Sequence, residues 1–253
     1  MQQTLTQARG TNMVLPLRDD DTDRHTTPVV TYALIAVNIL VWLLELSLGE
    51  PFINGYSTVP YEITHGTDLV GLQSIQAGGQ SIPIQLYPGP TPIYLTLLSA
   101  MFMHASWAHI GGNMLYLWIF GDNIEDRVGS MRFLVFYLIC GLAASLVHIM
   151  FGTDSRIPSL GASGAIAGVL GAYLVLFPKR AVRVLVARQI VNMPAFIVLG
   201  LWILLQLFSQ ISVVGGEAGG VAYMAHIGGF VAGVALILVF RGRRAPSPRE
   251  VLR

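Results

Sequence analysis

Gly161-Ala162-Ser163-Gly164 opens an apolar run that continues to Phe177, where Pro178-Lys179-Arg180 stops it. A run this apolar belongs in lipid, and a polar side chain inside a bilayer is costly and functional by default. Composition places most of the chain in the same solvent: 53% of its 253 residues are hydrophobic and 11% charged, against about 25% charged in an average globular domain. A net charge of +1 gives no reason to expect a nucleic-acid partner. Cys140 is the one cysteine, which excludes an intramolecular disulfide and reads as a buried structural thiol.

Working outward from Ser163, the expected fold is an all-α polytopic membrane protein with six transmembrane helices. Roughly 20 apolar residues cross ~30 Å of hydrocarbon. The spans read as Val29 to Leu48, Ser106 to Ile124, Arg132 to Phe151, Gly161 to Phe177, Val191 to Ile211 and Val221 to Phe240. Residues 1–27 are polar, lack the basic start and short apolar core of a signal peptide, and read as a mostly disordered tail. Residues 28–241 then form the membrane domain, with a Gly-, Pro-, Ser- and Thr-rich outer loop over 49–105, and 242–253 a basic tail.

Basic residues orient this threading, because short loops holding Lys and Arg stay cytoplasmic. Six spans put both ends and the loops after spans 2 and 4 on one side, which gathers 14 of the 15 basic residues there and leaves Arg156 outside. Both termini are therefore expected in the cytoplasm, across a prokaryotic plasma membrane.

Spans 2, 4 and 6 then all run inward, so residues early in each share the outer leaflet. His109 and Asn113 begin span 2, Ser163 begins span 4, and His226 lies about 8 Å into span 6 at 1.5 Å per residue. Ser163, Ala167 and Gly171 recur along one face, and His226, Gly229 and Gly233 along another; small residues of this kind let helices approach closely. A serine that meets an imidazole is a nucleophile with its general base. Lys179, the one lysine, lies 16 residues beyond Ser163 at the opposite membrane face, which excludes a Ser/Lys pair. No Asp or Glu stands in the outer half of spans 2, 4, 5 or 6, so a dyad is favoured over a triad. His109 and Asn113, four apart on one helix face, and the Ser163 amide at a helix start can donate to a developing oxyanion.

His104-Ala-Ser-Trp-Ala-His109-Ile-Gly-Gly-Asn113, Gly161-Ala-Ser163-Gly164 and Ala225-His226-Ile-Gly-Gly229-Phe-Val-Ala-Gly233 resemble, in order and placement, the three signatures of the rhomboid intramembrane serine proteases. Glu125-Asp-Arg127-Val-Gly129 resembles the acidic-to-glycine element that follows that family's second helix. The resemblance covers about Pro28 to Phe240 and implies Ser163 as nucleophile, His226 as base, and His109, Asn113 and the Ser163 amide as oxyanion donors. It further implies a structural cluster at Glu125 and Arg127, a lateral gate at span 5, transmembrane protein substrates, and no cofactor or metal.

Two positions depart from the family pattern. Leu95 and Thr96 replace a Trp-Arg pair that many members carry in the first loop, which leaves that loop's anchoring unsupported. Ala167 replaces an aromatic that stacks on the imidazole in many members, so a residue such as Tyr223 is expected to orient the ring. His104 reads as a structural hydrogen-bonding residue, His148 as a packing residue, His25 and His65 as solvated, and Glu45 as interfacial. The alternative readings are a catalytically silent rhomboid-like binder of membrane helices, and a metal site or transporter built on His104, His109, His148 and His226. Against the latter, no cysteine or acidic ligand shares their depth. Oligomeric state is not encoded in any of these features.

Overall fold

A computed structural model describes residues 15–20, 22–77, 80–214 and 223–240, with side chains described at all of these except 76, 77 and 209–214. Six long helices dominate it: α1 (Val29–Leu48), α5 (Trp107–Val128), α6 (Ser130–Met150), α7 (Ser163–Leu176), α8 (Ala195–Val214) and α9 (Tyr223–Phe240). Three of them, α1, α6 and α9, are long and apolar enough to cross a membrane. The connection from α1 to α5 carries the short helices α2 (Glu50–Tyr56), α3 (Pro60–His65) and α4 (Thr96–Ser99) and a hairpin of β2 (Gly71–Ala77) and β3 (Gln80–Leu86).

The fold is mostly helical, as expected, but it also carries two small antiparallel sheets that an all-α reading leaves out. Besides the β2–β3 hairpin there is a three-stranded antiparallel sheet in the order β1-β4-β5, made of Leu15–Asp19, Ala181–Val186 and Gln189–Pro194. Alternation in Ala181-Val-Arg-Val184 explains β4: Val182 and Val184 are buried while Ala181 and Arg183 face out, the period of a half-buried strand. Ala187 and Arg188 close the β4–β5 turn at φ 46° and 71°, the left-handed pair that a two-residue hairpin requires. The fifth helix consequently starts at Ala195, not Val191. On the amino-terminal side, the expected disordered tail contains β1, with Leu15 opposite Leu185 and Asp19 opposite Val182. The first 14 residues, the glycine-rich turn from Gly215 to Gly220, Val221 and the basic carboxyl tail lie outside the described residues.

The core is organised around α7. Every residue from Gly164 to Tyr173 is buried, so a 14-residue helix of about 21 Å is wrapped by other helices rather than by lipid. Its closest neighbour is α9. A Cβ at Gly229 or Gly233 would strike the Gly164 or Gly168 carbonyl oxygen respectively, so only glycine permits this backbone-to-backbone packing. The α7 face in contact is Gly164, Gly168 and Gly171, one residue round from the Ser163, Ala167 and Gly171 stripe except at Gly171.

Carboxylates tie both ends of α1, one to α5 and the other to the segment that leads into it. Pro28, which precedes α1, offers no side-chain cap. Glu125 supplies one from α5 instead: its oxygens accept from the backbone amides of Val30 at 2.9 Å and Thr31 at 2.7 Å and from the hydroxyls of Thr31 and Ser130. An anion at a helix amino terminus satisfies orphan donors and complements the helix dipole. At the other end Glu45, expected at the interface, is buried and accepts from the His104 amide through both oxygens, at 3.0 and 3.1 Å.

Candidate active site

Ser163 is the first residue of α7 and His226 lies in the first turn of α9. The Gly164–Gly229 contact just beyond them holds these two helix ends together, and Ser163 Oγ lies 2.8 Å from His226 Nε2. On the far side of the ring, Nδ1 lies 2.7 Å from Oε1 of Gln206, carried by α8. An amide oxygen accepts and does not donate, so Nδ1 holds the ring proton and Nε2 offers its lone pair to the Ser163 hydroxyl. That is the protonation a general base needs. Tyr223 meets the imidazole edge-on at 6.5 Å, and Trp202 lies tilted over it at 5.8 Å. Gln206 was missed by sequence reasoning, although an amide alone in Leu204-Leu205-Gln206-Leu207-Phe208 was a detectable signal under the rule that polar groups in membrane spans have work to do.

His109 is brought beside this pair by Gly161. The Gly161 backbone has φ 137°, its amide donates to the Ala100 carbonyl at 2.8 Å, and a Cβ there would fall 2.9 Å from His109 Cε1 and 3.5 Å from Ser163 Oγ. Imidazole and hydroxyl therefore flank one glycine. Ser106 caps α5 by accepting from the His109 amide at 3.1 Å. His109 Nδ1 accepts from the Ala105 amide at 3.4 Å, which puts the ring proton on Nε2, the nitrogen next to Gly161.

Asn113 lies one turn further along α5 and is buried. One of its amide protons is donated to His104 Nε2 at 2.9 Å, leaving the second for another acceptor. Burial, with His109 alongside, pushes His104 down to about 4, so its ring is neutral at pH 7 and able to accept. His104 is thus a positioning group for Asn113. Next to Ser163 lies a cavity of about 40 Å³, lined by Met101, Ala144, Ser145, His148 and Gly161. His148, expected to pack, faces this space. Among the described residues, no group of three or more His, Cys, Asp or Glu is disposed to hold a metal ion.

The family model of the Rhomboid domain matches residues 92–243, more than half of the chain. The chain belongs to the rhomboid family. It is 32% identical over 151 residues to Rhomboid protein 1, mitochondrial, of Saccharomyces cerevisiae, covering 55% of this chain and 40% of that protein. Over 148 residues it is 36% identical to Rhomboid protease GluP of Bacillus subtilis, covering 58% and 24%. Rhomboid-like protein 11, chloroplastic, of Arabidopsis thaliana is 28% identical over 160 residues, covering 58% and 52%. The chain thus spans between 24% and 52% of the length of these relatives. Family and apolar helices together make it an integral membrane protein. Because the relatives' names include a mitochondrial and a chloroplastic protein, the expected prokaryotic plasma membrane gains no support from them.

In this rhomboid the loop that lacks a Trp-Arg pair is anchored in other ways. Thr96 is buried, the Thr58 hydroxyl donates to its carbonyl at 2.8 Å, and Ser99 Oγ donates to the Tyr56 carbonyl at 2.7 Å. At the far end of α5, Glu125 enters the cap on α1 while Asp122 pairs with Arg24 at 2.6 Å. Asp126 accepts from the amides of His25 and Thr26. Arg180 adds a second ion pair nearby, with Asp23 at 3.6 Å.

Proposed function

We propose that this rhomboid is an intramembrane serine endopeptidase that hydrolyses peptide bonds in or near transmembrane segments of other membrane proteins. The single observation that carries the reading is the 2.8 Å contact between Ser163 Oγ and His226 Nε2. In the first half-reaction Oγ attacks the scissile carbonyl carbon as Nε2 takes the hydroxyl proton. His109 Nε2–H, the second Asn113 amide proton and the Ser163 backbone N–H donate to the oxyanion. Collapse breaks the C–N bond, and the leaving amine departs with the proton from Nε2. In the second half-reaction water gives a proton to Nε2, adds to the acyl ester, and Ser163 is regenerated. The cavity beside Ser163 exceeds the ~10–15 Å³ that one water needs, which supports water supply at this depth.

The six long helices are proposed as six passes, with residues 28–241 as the membrane domain and 49–105 as its outer loop. The distribution of basic residues supports both termini on the cytoplasmic side. Purified protein in lipid, incubated with a labelled single-span substrate, tests the activity. Cleavage and fluorophosphonate labelling that disappear in Ser163→Ala are expected. Unchanged cleavage in that variant removes Ser163 from the mechanism, whereas binding without cleavage by the wild type reassigns the chain to a silent membrane-helix binder.

A further inference from the structure

We propose that Gln206 is a positioning residue that completes a Ser163–His226–Gln206 relay across α7, α9 and α8 and holds the imidazole in its working tautomer. This rests on the reading of Ser163 as nucleophile and His226 as base. Gln206 is only partly exposed, although Leu204, Leu205, Leu207 and Phe208 around it are all exposed. An amide turned toward lipid would be left without partners, which apolar surroundings penalise. Here its oxygen meets His226 Nδ1 at 2.7 Å. Trp202, one turn earlier on the same face of α8, adds its ring at 5.8 Å. Two α8 residues therefore fix the imidazole plane where Ala167 offers no aromatic.

The chemistry of the acceptor decides the tautomer. With the proton on Nδ1, Nε2 can take the Ser163 proton; with it on Nε2, the ring can only donate to Ser163 and catalysis stops. Ionised carboxylates impose the same tautomer in serine hydrolases, but a charge held inside a membrane must overcome a large desolvation cost. A neutral amide oxygen imposes it without that cost. It also accounts for a base that needs no acidic residue in the outer half of the helices.

Two measurements test this. First, selectively ¹⁵N-histidine-labelled protein in lipid is examined by NMR. His226 is expected to show a protonated Nδ1 and an unprotonated Nε2, with the signature lost in Gln206→Leu; a protonated Nε2 in the wild type overturns the proposal whether or not the protein turns over. Second, Gln206→Leu is expected to lower kcat roughly tenfold, the size of one neutral hydrogen bond, with KM for the transmembrane substrate and the melting temperature unchanged. Wild-type kcat in Gln206→Leu overturns the relay. Failure of the wild type to label with fluorophosphonate counts against the protease reading instead, and the NMR result then decides the Gln206 contact by itself.

Discussion

Replacing Gly229 by alanine isolates the physical cause of the site, the spacing of α7 and α9. The added methyl would lie on the carbonyl oxygen of Gly164, 2.9 Å from its carbon and 3.3 Å from Ala144 Cβ. A backbone carbonyl inside a fully buried helix cannot swing aside as a side chain can. To reach ordinary contact at ~3.5–4.0 Å, α9 must retreat from α7 by on the order of 1 Å. Ser163 immediately precedes Gly164 and His226 stands one turn before Gly229, so the retreat falls on a hydrogen bond that starts at 2.8 Å and weakens beyond ~3.2 Å. Overpacking of this kind costs ~1–3 kcal/mol, and a 1 Å misplacement of a reacting group costs ~10² in rate. Gly229→Ala is therefore expected to fold with a lowered melting temperature and to lose about two decades of kcat and of fluorophosphonate labelling rate. Gly111→Ala and Gly112→Ala are matched controls: they sit in the same His-Ile-Gly-Gly pattern on α5, but a Cβ at either meets nothing within 4 Å. Both should keep wild-type melting and turnover. A folded Gly229→Ala protein that labels at the wild-type rate would refute the dependence of the Ser163–His226 contact on helix spacing.

Three further outcomes are expected. Asn113→Ala should lower kcat by ~10²–10³, the effect of removing one oxyanion donor, with little change in KM; steady-state kinetics at the wild-type value would reduce Asn113 to a packing role beside His104. Glu125→Ala removes the acceptor of two backbone amides and two hydroxyls, each charge-assisted bond being worth ~1.5–3 kcal/mol, so thermal unfolding in detergent should fall sharply; an unchanged melting curve would mean that α1 does not need this cap. Burial, with Asp122 alongside, pushes Asp19 up to about 6 from about 4 in the unfolded chain. The folded state then binds the extra proton between these values, so stability is greatest below pH ~4 and declines as pH rises through ~6. Asp19→Asn should flatten that part of a melting-temperature profile, and superimposable profiles for the two proteins would remove Asp19 as its source.

What was legible in the sequence followed from periodicity and from charge. Residues 29–48 of α1 match the expected span, because twenty apolar residues bounded by Pro28 and Gly49 admit few alternatives. The contact between Ser163 and His226 was legible because small-residue faces bring two polar groups at one depth in lipid within reach of each other. Sequence could not distinguish Gly111-Gly112 from Gly228-Gly229, which have identical local patterns; one pair faces open space and the other faces α6 and α7, and only the tertiary neighbour separates them. Gln206 was hidden for a related reason: its partner is 20 residues away and on another helix, so no spacing rule joins them. The β1–β4–β5 sheet was missed because strands of five and six residues beside long apolar runs carry too little alternation to compete with the helical signal.

The geometry divides the site between two rigid pairs. On one side both ends of α1 are tied by carboxylates that accept backbone amides, Glu125 of α5 on Val30 and Thr31 and Glu45 of α1 on His104 just before α5. That frame fixes the depth of His109 and Asn113, the groups proposed to receive the oxyanion. On the other side α7 and α9 are pressed together through Gly164, Gly168, Gly229 and Gly233, and this pair carries Ser163 and His226, the proposed nucleophile and base. Gly161 joins the two, its amide held by the Ala100 carbonyl and the place a Cβ would take lying against both the His109 ring and the Ser163 hydroxyl. A side chain at that position would drive the ring and the hydroxyl apart and, at φ 137°, would strain the backbone as well. The position of His109 relative to Ser163 is thus set by one residue without a side chain, whereas the Ser163–His226 hydrogen bond is set by the glycines of α9. Substitutions at these two places should separate oxyanion stabilisation from proton transfer.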